Sequence, residues 1–186
     1  MSSIIDKIEK ATEIGDLASD IYASAAGNYI RNKLPSSDST ARPGFKGERH
    51  TILKLPNGKM GIANYAGPGT HIIERLQRGD PPRTYTDKVS RIHDIKYALS
   101  TYENTQKEQL RDIRLADDEM VKSLYKAREK NKDNLYNIMI GMRLIQGKKM
   151  LEDVGVIKKN TFSGKLGMYN NRDKAILITS LSKANK

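Results

Sequence analysis

The sequence predicts a mainly α protein, built on two adjacent amphipathic helices that follow a short β-hairpin and a stiff glycine turn. Three observations predict it. Val89, Ile92 and Ile95, with Ala98 and Leu99, recur at helical spacing, and Leu110, Ile113, Met120, Val121 and Leu124 do the same in the next stretch. Asn57-Gly58, set between apolar runs, is a strong hairpin turn signal. Gly67-Pro68-Gly69 joins two residues that tolerate positive φ to one whose φ is fixed, which makes a short, rigid loop.

Taken in order, residues 1–34 carry Ile8, Ala11, Ile14, Leu17, Ala18, Ile21, Tyr22 and Ala25 at a helical period and read as an amphipathic arm. Its charges are mixed rather than strongly basic, which favours docking on a partner over lying on a membrane. Residues 35–50, rich in Ser, Pro, Gly and charge, read as a linker. Residues 51–130 hold the hairpin, the glycine turn and the two helices, with Thr86 or Asp87 placed to cap the first helix. Residues 131–186 form a basic extension. In it Leu135, Ile138, Met139, Met142 and Ile145 mark a further helix, and Ala175-Ile-Leu-Ile-Thr-Ser-Leu has a β-like composition.

The chain has 186 residues, no cysteine and a net charge of +11. At 37% hydrophobic residues the core is modest. The lack of cysteine excludes a disulfide-stapled secreted scaffold and points to synthesis inside the cell. No signal peptide and no run approaching the ~20 apolar residues of a membrane span is visible. From Gly141 onward ten Lys/Arg face three Asp/Glu, a surplus that suits polyanions such as nucleic acid or anionic lipid. His50, His71 and His93 lack zinc-site spacing, the glycine turn lacks the lysine of a P-loop, and no serine sits in a Gly-x-Ser-x-Gly elbow.

The chemistry concentrates in three places. The glycine turn, Tyr65-Ala66-Gly67-Pro68-Gly69-Thr70, can aim backbone carbonyls at a hard cation, for which calcium's tolerance of irregular oxygen shells is suited. On the first helix His93 and Tyr97 stand four apart and share a face, while Asp94 projects about a quarter turn away. On the second, Asp117 falls on the apolar stripe, four after Ile113 and three before Met120, where a carboxylate is costly without partners. Arg114 and Arg111 are the bland partners, and an imidazole is the interesting one.

These residues, with Arg75-Leu76, Arg78-Gly79-Asp80, Pro82, Asp87 six before His93, and Arg114 before Ala116-Asp117, form an ordered series. The run from Tyr65 to Leu124, roughly a third of the chain, resembles the phospholipase A2-like domain of parvovirus minor capsid proteins and its relatives in insect densoviruses, polinton-like elements and other DNA viruses. The resemblance implies a phospholipase A2-like core of two antiparallel helices with a calcium loop and a short β-hairpin, flanked by the arm and the basic extension. It implies a calcium-dependent phospholipase A2, a carboxylic ester hydrolase that cleaves the sn-2 ester of glycerophospholipids. His93 would be the general base, Asp117 the group that sets its tautomer, Tyr97 a support for Asp117, and the Gly67 amide an oxyanion donor. Calcium would be held by Asp94 and the carbonyls of Tyr65, Gly67 and Gly69.

The setting implied is a virion protein made in the host cytoplasm. It would breach a limiting membrane during entry, and its partners would be the phospholipid membrane, capsid proteins and, through the basic end, nucleic acid. The alternative is a minor capsid or core structural protein that uses the fold as cement. Two positions depart from the family pattern: Thr70 stands where asparagine is usual, and Lys96 places a charge between Asp94 and Tyr97.

Overall fold

The computed structural model describes residues 42–159 and 164–184, so the predicted arm and most of the linker lie outside the described residues. Two strands and five helices follow one another there: β1 (Ile52–Lys54), β2 (Met60–Ile62), α1 (Ile72–Arg78), α2 (Tyr85–Ser100), α3 (Gln106–Glu129), α4 (Leu135–Asp153) and α5 (Asn171–Ala184). The mainly α core with a small hairpin is thus as expected. The strands pair antiparallel, Ile52 with Ile62, Leu53 with Gly61 and Lys54 with Met60. Gly58 takes φ 81° in the connecting loop, where the Leu55 N–H donates to the Lys59 carbonyl at 2.8 Å.

Helix α2 starts one residue earlier than its apolar period suggests, because Thr84 rather than Thr86 or Asp87 is the cap and accepts from the Asp87 N–H. Helix α3 begins with a reciprocal box in which Thr105 and Glu108 satisfy each other's backbone N–H groups. The two helices run antiparallel: Val89 packs with Met120 and Leu124 near one end, and Tyr97 packs with Ile113 and Ala116 near the other. Helix α4 closes the first cluster with Ile138, Met142 and Ile145. Its first turn is tied to the hairpin by buried Asn137, which exchanges hydrogen bonds with the Lys54 N–H and carbonyl at 2.7 and 2.8 Å.

The β-like run at 175–181 is helical. Asn170 and Asp173 cap each other's backbone N–H groups, and this start signal carries α5 through Ile176 to Ile178 despite their β propensity. Leu177 is then fully buried against Tyr65, Ile72, Ile73 and Ile95, with Leu181 one turn on beside it. The extension 131–186 therefore contains helices and no strand among the described residues.

The linker also differs from expectation. Residues 42–50 have no regular structure, yet Glu48 is buried and Arg75 of α1 lies against it with Nε and Nη2 at 2.8 and 2.7 Å. Arg75 donates its other Nη to Asp80 at 2.9 Å, so a fully buried guanidinium is shared by two carboxylates. Charge pairing pins this segment to the domain, and its polar composition concealed that.

Candidate functional site

The glycine turn is held from both sides. Behind it, buried Asp87 accepts backbone N–H bonds from Asn64, Tyr65 and Ala66 at 3.1, 2.8 and 2.9 Å, and from Arg83 at 2.9 Å. A carboxylate that looked like a helix cap is in fact the clamp that fixes the entry to the turn. Beneath the turn runs the 47–50 segment. Gly67 has φ +148°, and a Cβ there would lie 2.3 Å from the Arg49 carbonyl oxygen and 2.7 Å from His50 Cα. Two backbones are in contact at this point, so only glycine fits. Tyr65 is buried, with its hydroxyl donating to the Asp80 carbonyl at 2.6 Å.

Helices α2 and α3 bring the three predicted side chains together across 24 residues of sequence. His93 Nε2 lies 2.9 Å from Asp117 Oδ1, and His93 Nδ1 lies 3.3 Å from Asp94 Oδ1. Asp117 is fully buried and can only accept, so in the neutral ring Nε2 carries the proton and Nδ1 is the lone-pair nitrogen, which donates to Asp94 only once the ring is protonated. Tyr97 donates its hydroxyl to the same Asp117 oxygen at 2.5 Å, and its ring stands 4.1 Å from the imidazole, centroid to centroid.

The other Asp117 oxygen is taken by Lys148 of α4, at 2.8 Å. Neither Arg111 nor Arg114 is the partner: Arg111 pairs with Asp112, and Arg114 with Asp153 and Glu152. Lys148 also reaches Glu152 at 2.7 Å and lies over the Tyr97 ring at 5.2 Å. In the sequence this lysine is one of many basic residues of the extension. No local signal marks it, since it is brought to Asp117 only by the packing of α4 on α3. The expected domain limit at residue 130 therefore falls short of a residue that touches the site.

Burial alone would raise the Asp117 carboxyl, but the His93 hydrogen bond and charge, then Lys148 and Tyr97, outweigh it and hold it below the usual carboxylate range. Burial alone would lower His93; its hydrogen bonds to Asp117 and Asp94 and their charges win and raise it. Asp94 is raised, chiefly by burial, with the His93 and Thr70 side chains opposing. Burial, and then the Arg75 charge, push His50 down, so its ring is neutral at ordinary pH. Tyr97 is pushed far up, by burial first and then by the Asp117 charge, which keeps it a hydroxyl donor.

Tyr65, Gly67, Gly69, His93, Asp94 and Tyr97 all line one cavity of about 750 Å³, with Asp117 fully buried behind the imidazole. The remaining wall is mostly apolar, with Ile140, Leu144 and Leu151 of α4 and Ile72, Ala98 and Met120 lining it, interrupted by Arg143 and Gln146 of α4. At the polar end, Asp94 Oδ2 is buried with no hydrogen-bond partner. The Thr70 hydroxyl oxygen lies 3.2 Å from the Tyr65 carbonyl, 3.2 Å from the Gly67 carbonyl and 3.2 Å from His50 Nε2. An unsatisfied carboxylate oxygen on a residue that lines the same cavity as Tyr65 and Gly67, whose carbonyls meet at one hydroxyl, is a donor set that fits a hard cation. Among the described residues no group of three or more His, Cys, Asp and Glu side chains could hold a metal ion, so a cation here would rest mainly on backbone oxygens.

Compared with known proteins, residues 57–148 match the family model described as the phospholipase A2-like domain. No curated protein and no solved structure matches the chain.

Proposed function

From the premise that residues 57–148 form a phospholipase A2-like domain, we propose that this protein is a calcium-dependent phospholipase A2 acting on the sn-2 ester of glycerophospholipids. The observation that carries the proposal is the orientation of His93: Nε2 is committed to Asp117 at 2.9 Å, while Nδ1 is turned toward Asp94 in the cavity. An imidazole so held is a general base for water.

In the reaction, Nδ1 takes the proton of a water that attacks the ester carbonyl. Asp117 keeps Nε2–H in place and stabilises the imidazolium, and Tyr97 and Lys148 keep Asp117 in place. The proton then passes to the departing alkoxide, which leaves as lysophospholipid, and the fatty acid is released. The Gly67 amide is the protein's donor to the oxyanion. Asp94 and the carbonyls of Tyr65, Gly67 and Gly69 would hold calcium, which would supply Lewis-acid polarisation of the ester. The mostly apolar wall supports an acyl-chain substrate, since it removes hydrocarbon from water at about 25 cal/mol per Å².

The resemblance to viral minor capsid proteins supports a setting in a virion, with turnover at a limiting membrane during entry. Among the described residues no helix is long and apolar enough to cross a membrane, so this reading has the enzyme act on a membrane from outside it. The cavity beside His93 is open rather than filled by another described segment, which favours turnover over a purely cementing role. The test is fatty-acid release from phosphatidylcholine vesicles, with calcium and with chelator, by the chain and by His93→Ala. The expected result is calcium-dependent release that falls by about 100-fold or more in the variant. Background release by both would remove the enzyme.

A further inference from the structure

The calcium reading assigns the cation to three backbone carbonyls and Asp94, and leaves Thr70 and His50 without a task. Their geometry gives them one. The Thr70 hydroxyl oxygen is 3.2 Å from both the Tyr65 and the Gly67 carbonyl oxygens. Two oxygens that each lie ~2.4 Å from one calcium ion at a right angle are ~3.4 Å apart. Each carbonyl oxygen therefore already stands at the spacing of a neighbouring shell ligand from the Thr70 hydroxyl. A hydroxyl has a single hydrogen, however, and whichever oxygen does not receive it meets an unsatisfied acceptor.

The Asp94 carboxylate can draw that hydrogen, and so can His50. Its Nδ1 lies 3.0 Å from the Ala63 carbonyl oxygen, which can only accept, so Nδ1 carries the ring's hydrogen. The Arg75 Nη2 atom, 3.4 Å from the same nitrogen, is too distant to compete. In the neutral ring Nε2 is then an acceptor, and it lies 3.2 Å from the Thr70 oxygen. With the Thr70 hydrogen drawn to Nε2, the hydroxyl oxygen and the two carbonyl oxygens 3.2 Å from it confront one another with lone pairs only. Without a cation that arrangement is repulsive; with one it is a shell.

We infer that the Thr70 hydroxyl is a further oxygen ligand of the cation, and that His50, which lies outside the matched 57–148 stretch, is the positioning residue that turns it into the shell. His50 is well placed for such work. Its side chain is 2% exposed, and it sits directly under Gly67, whose absent Cβ would meet His50 Cα. Partners of this kind fix the orientation of metal ligands, and losing one typically lowers metal affinity by about 10- to 100-fold.

The inference rests on the calcium reading, and the experiment separates the two. Calcium titration calorimetry on the full chain would compare the unsubstituted protein with Thr70→Val, Thr70→Ser, His50→Asn and His50→Gln, with melting temperatures taken in chelator. Asn places its amide where Nδ1 was and keeps the Ala63 bond only, whereas Gln reaches the Nε2 position and keeps an acceptor on Thr70. Affinity should fall by roughly tenfold or more in Thr70→Val and His50→Asn, and stay within about threefold in Thr70→Ser and His50→Gln. The double variant His50→Asn/Thr70→Val should bind no worse than Thr70→Val alone.

Unchanged affinity in Thr70→Val overturns the inference and leaves the calcium enzyme standing. So does equal loss in both His50 variants accompanied by equal loss of melting temperature, which marks a purely structural histidine. If the unsubstituted chain takes up no calcium, the inference and the calcium enzyme fall together. A calcium-bound crystal structure gives a second measurement that needs no variant: the Thr70 oxygen belongs within about 2.3 to 2.6 Å of the ion.

Discussion

Replacing Glu48 by glutamine tests how the glycine turn is supported from below. The substitution keeps the shape of the side chain and removes its charge from beside buried Arg75, 2.7 Å away. Burial on its own would raise the Glu48 carboxyl; the Arg75 guanidinium, with the backbone N–H groups of His71 and Phe45, reverses this and lowers it from 4.5 to about 2. That displacement is worth about 3 kcal/mol at neutral pH. It sits at the lower end of the roughly 3 to 5 kcal/mol lost when one partner of a buried pair is removed, as expected when Asp80 stays with Arg75 at 2.9 Å. Because the native value lies below the unfolded one, the stabilisation is fully present above about pH 4.5 and is lost as the pH falls toward 2. Urea unfolding of the two chains should show a gap of about 3 kcal/mol at pH 7 that closes on acidification. A gap under about 1 kcal/mol at neutral pH, the size of an exposed pair, or one that does not shrink in acid, would refute the argument.

Three other outcomes follow from the site. Asp117→Asn frees the imidazole to take the wrong tautomer and should lower kcat by about 10⁴-fold, as in serine triads, with little change in KM; steady-state kinetics on vesicles reads both. Lys148→Met removes the cation that neutralises Asp117, so the uncompensated carboxylate should favour the imidazolium. The acid limb of the pH–rate profile should therefore move to higher pH, and a profile superimposable on the unsubstituted one would rule out this electrostatic role. Gly67→Ala puts a Cβ where 2.3 Å separates it from the Arg49 carbonyl. The turn must then shift, and calorimetry should detect loss of calcium binding; retained affinity would show that the turn and the 47–50 segment are less tightly opposed than described.

Much of the site was legible because its signals are local. The stripes through Val89 and Ile95 and through Ile113 and Leu124 specify two helices by a period that acts over a few residues. Asn57-Gly58 and Gly67-Pro68-Gly69 specify backbone turns by their own dihedral preferences. An aspartate on an apolar stripe, Asp117, announces that it needs a donor, although the sequence does not say whether that donor is an arginine or an imidazole. Where local signals conflict, the pattern misleads: Ile176, Leu177 and Ile178 look like a strand, and a cap at Asn170 and Asp173 with burial of Leu177 makes them a helix.

By itself, then, the sequence determined the order of the parts: hairpin, glycine turn, a helix bearing His93 and Asp94, and a helix bearing Asp117. Tertiary structure alone decided the partners. Lys148 meets Asp117 across 31 residues, Arg75 meets Glu48 across 27, and Asp87 gathers three backbone N–H groups more than 20 residues away. The physical reason is that a charge or a free N–H is satisfied by whatever packing brings within about 3 Å, and no period or turn preference reaches that far along a chain.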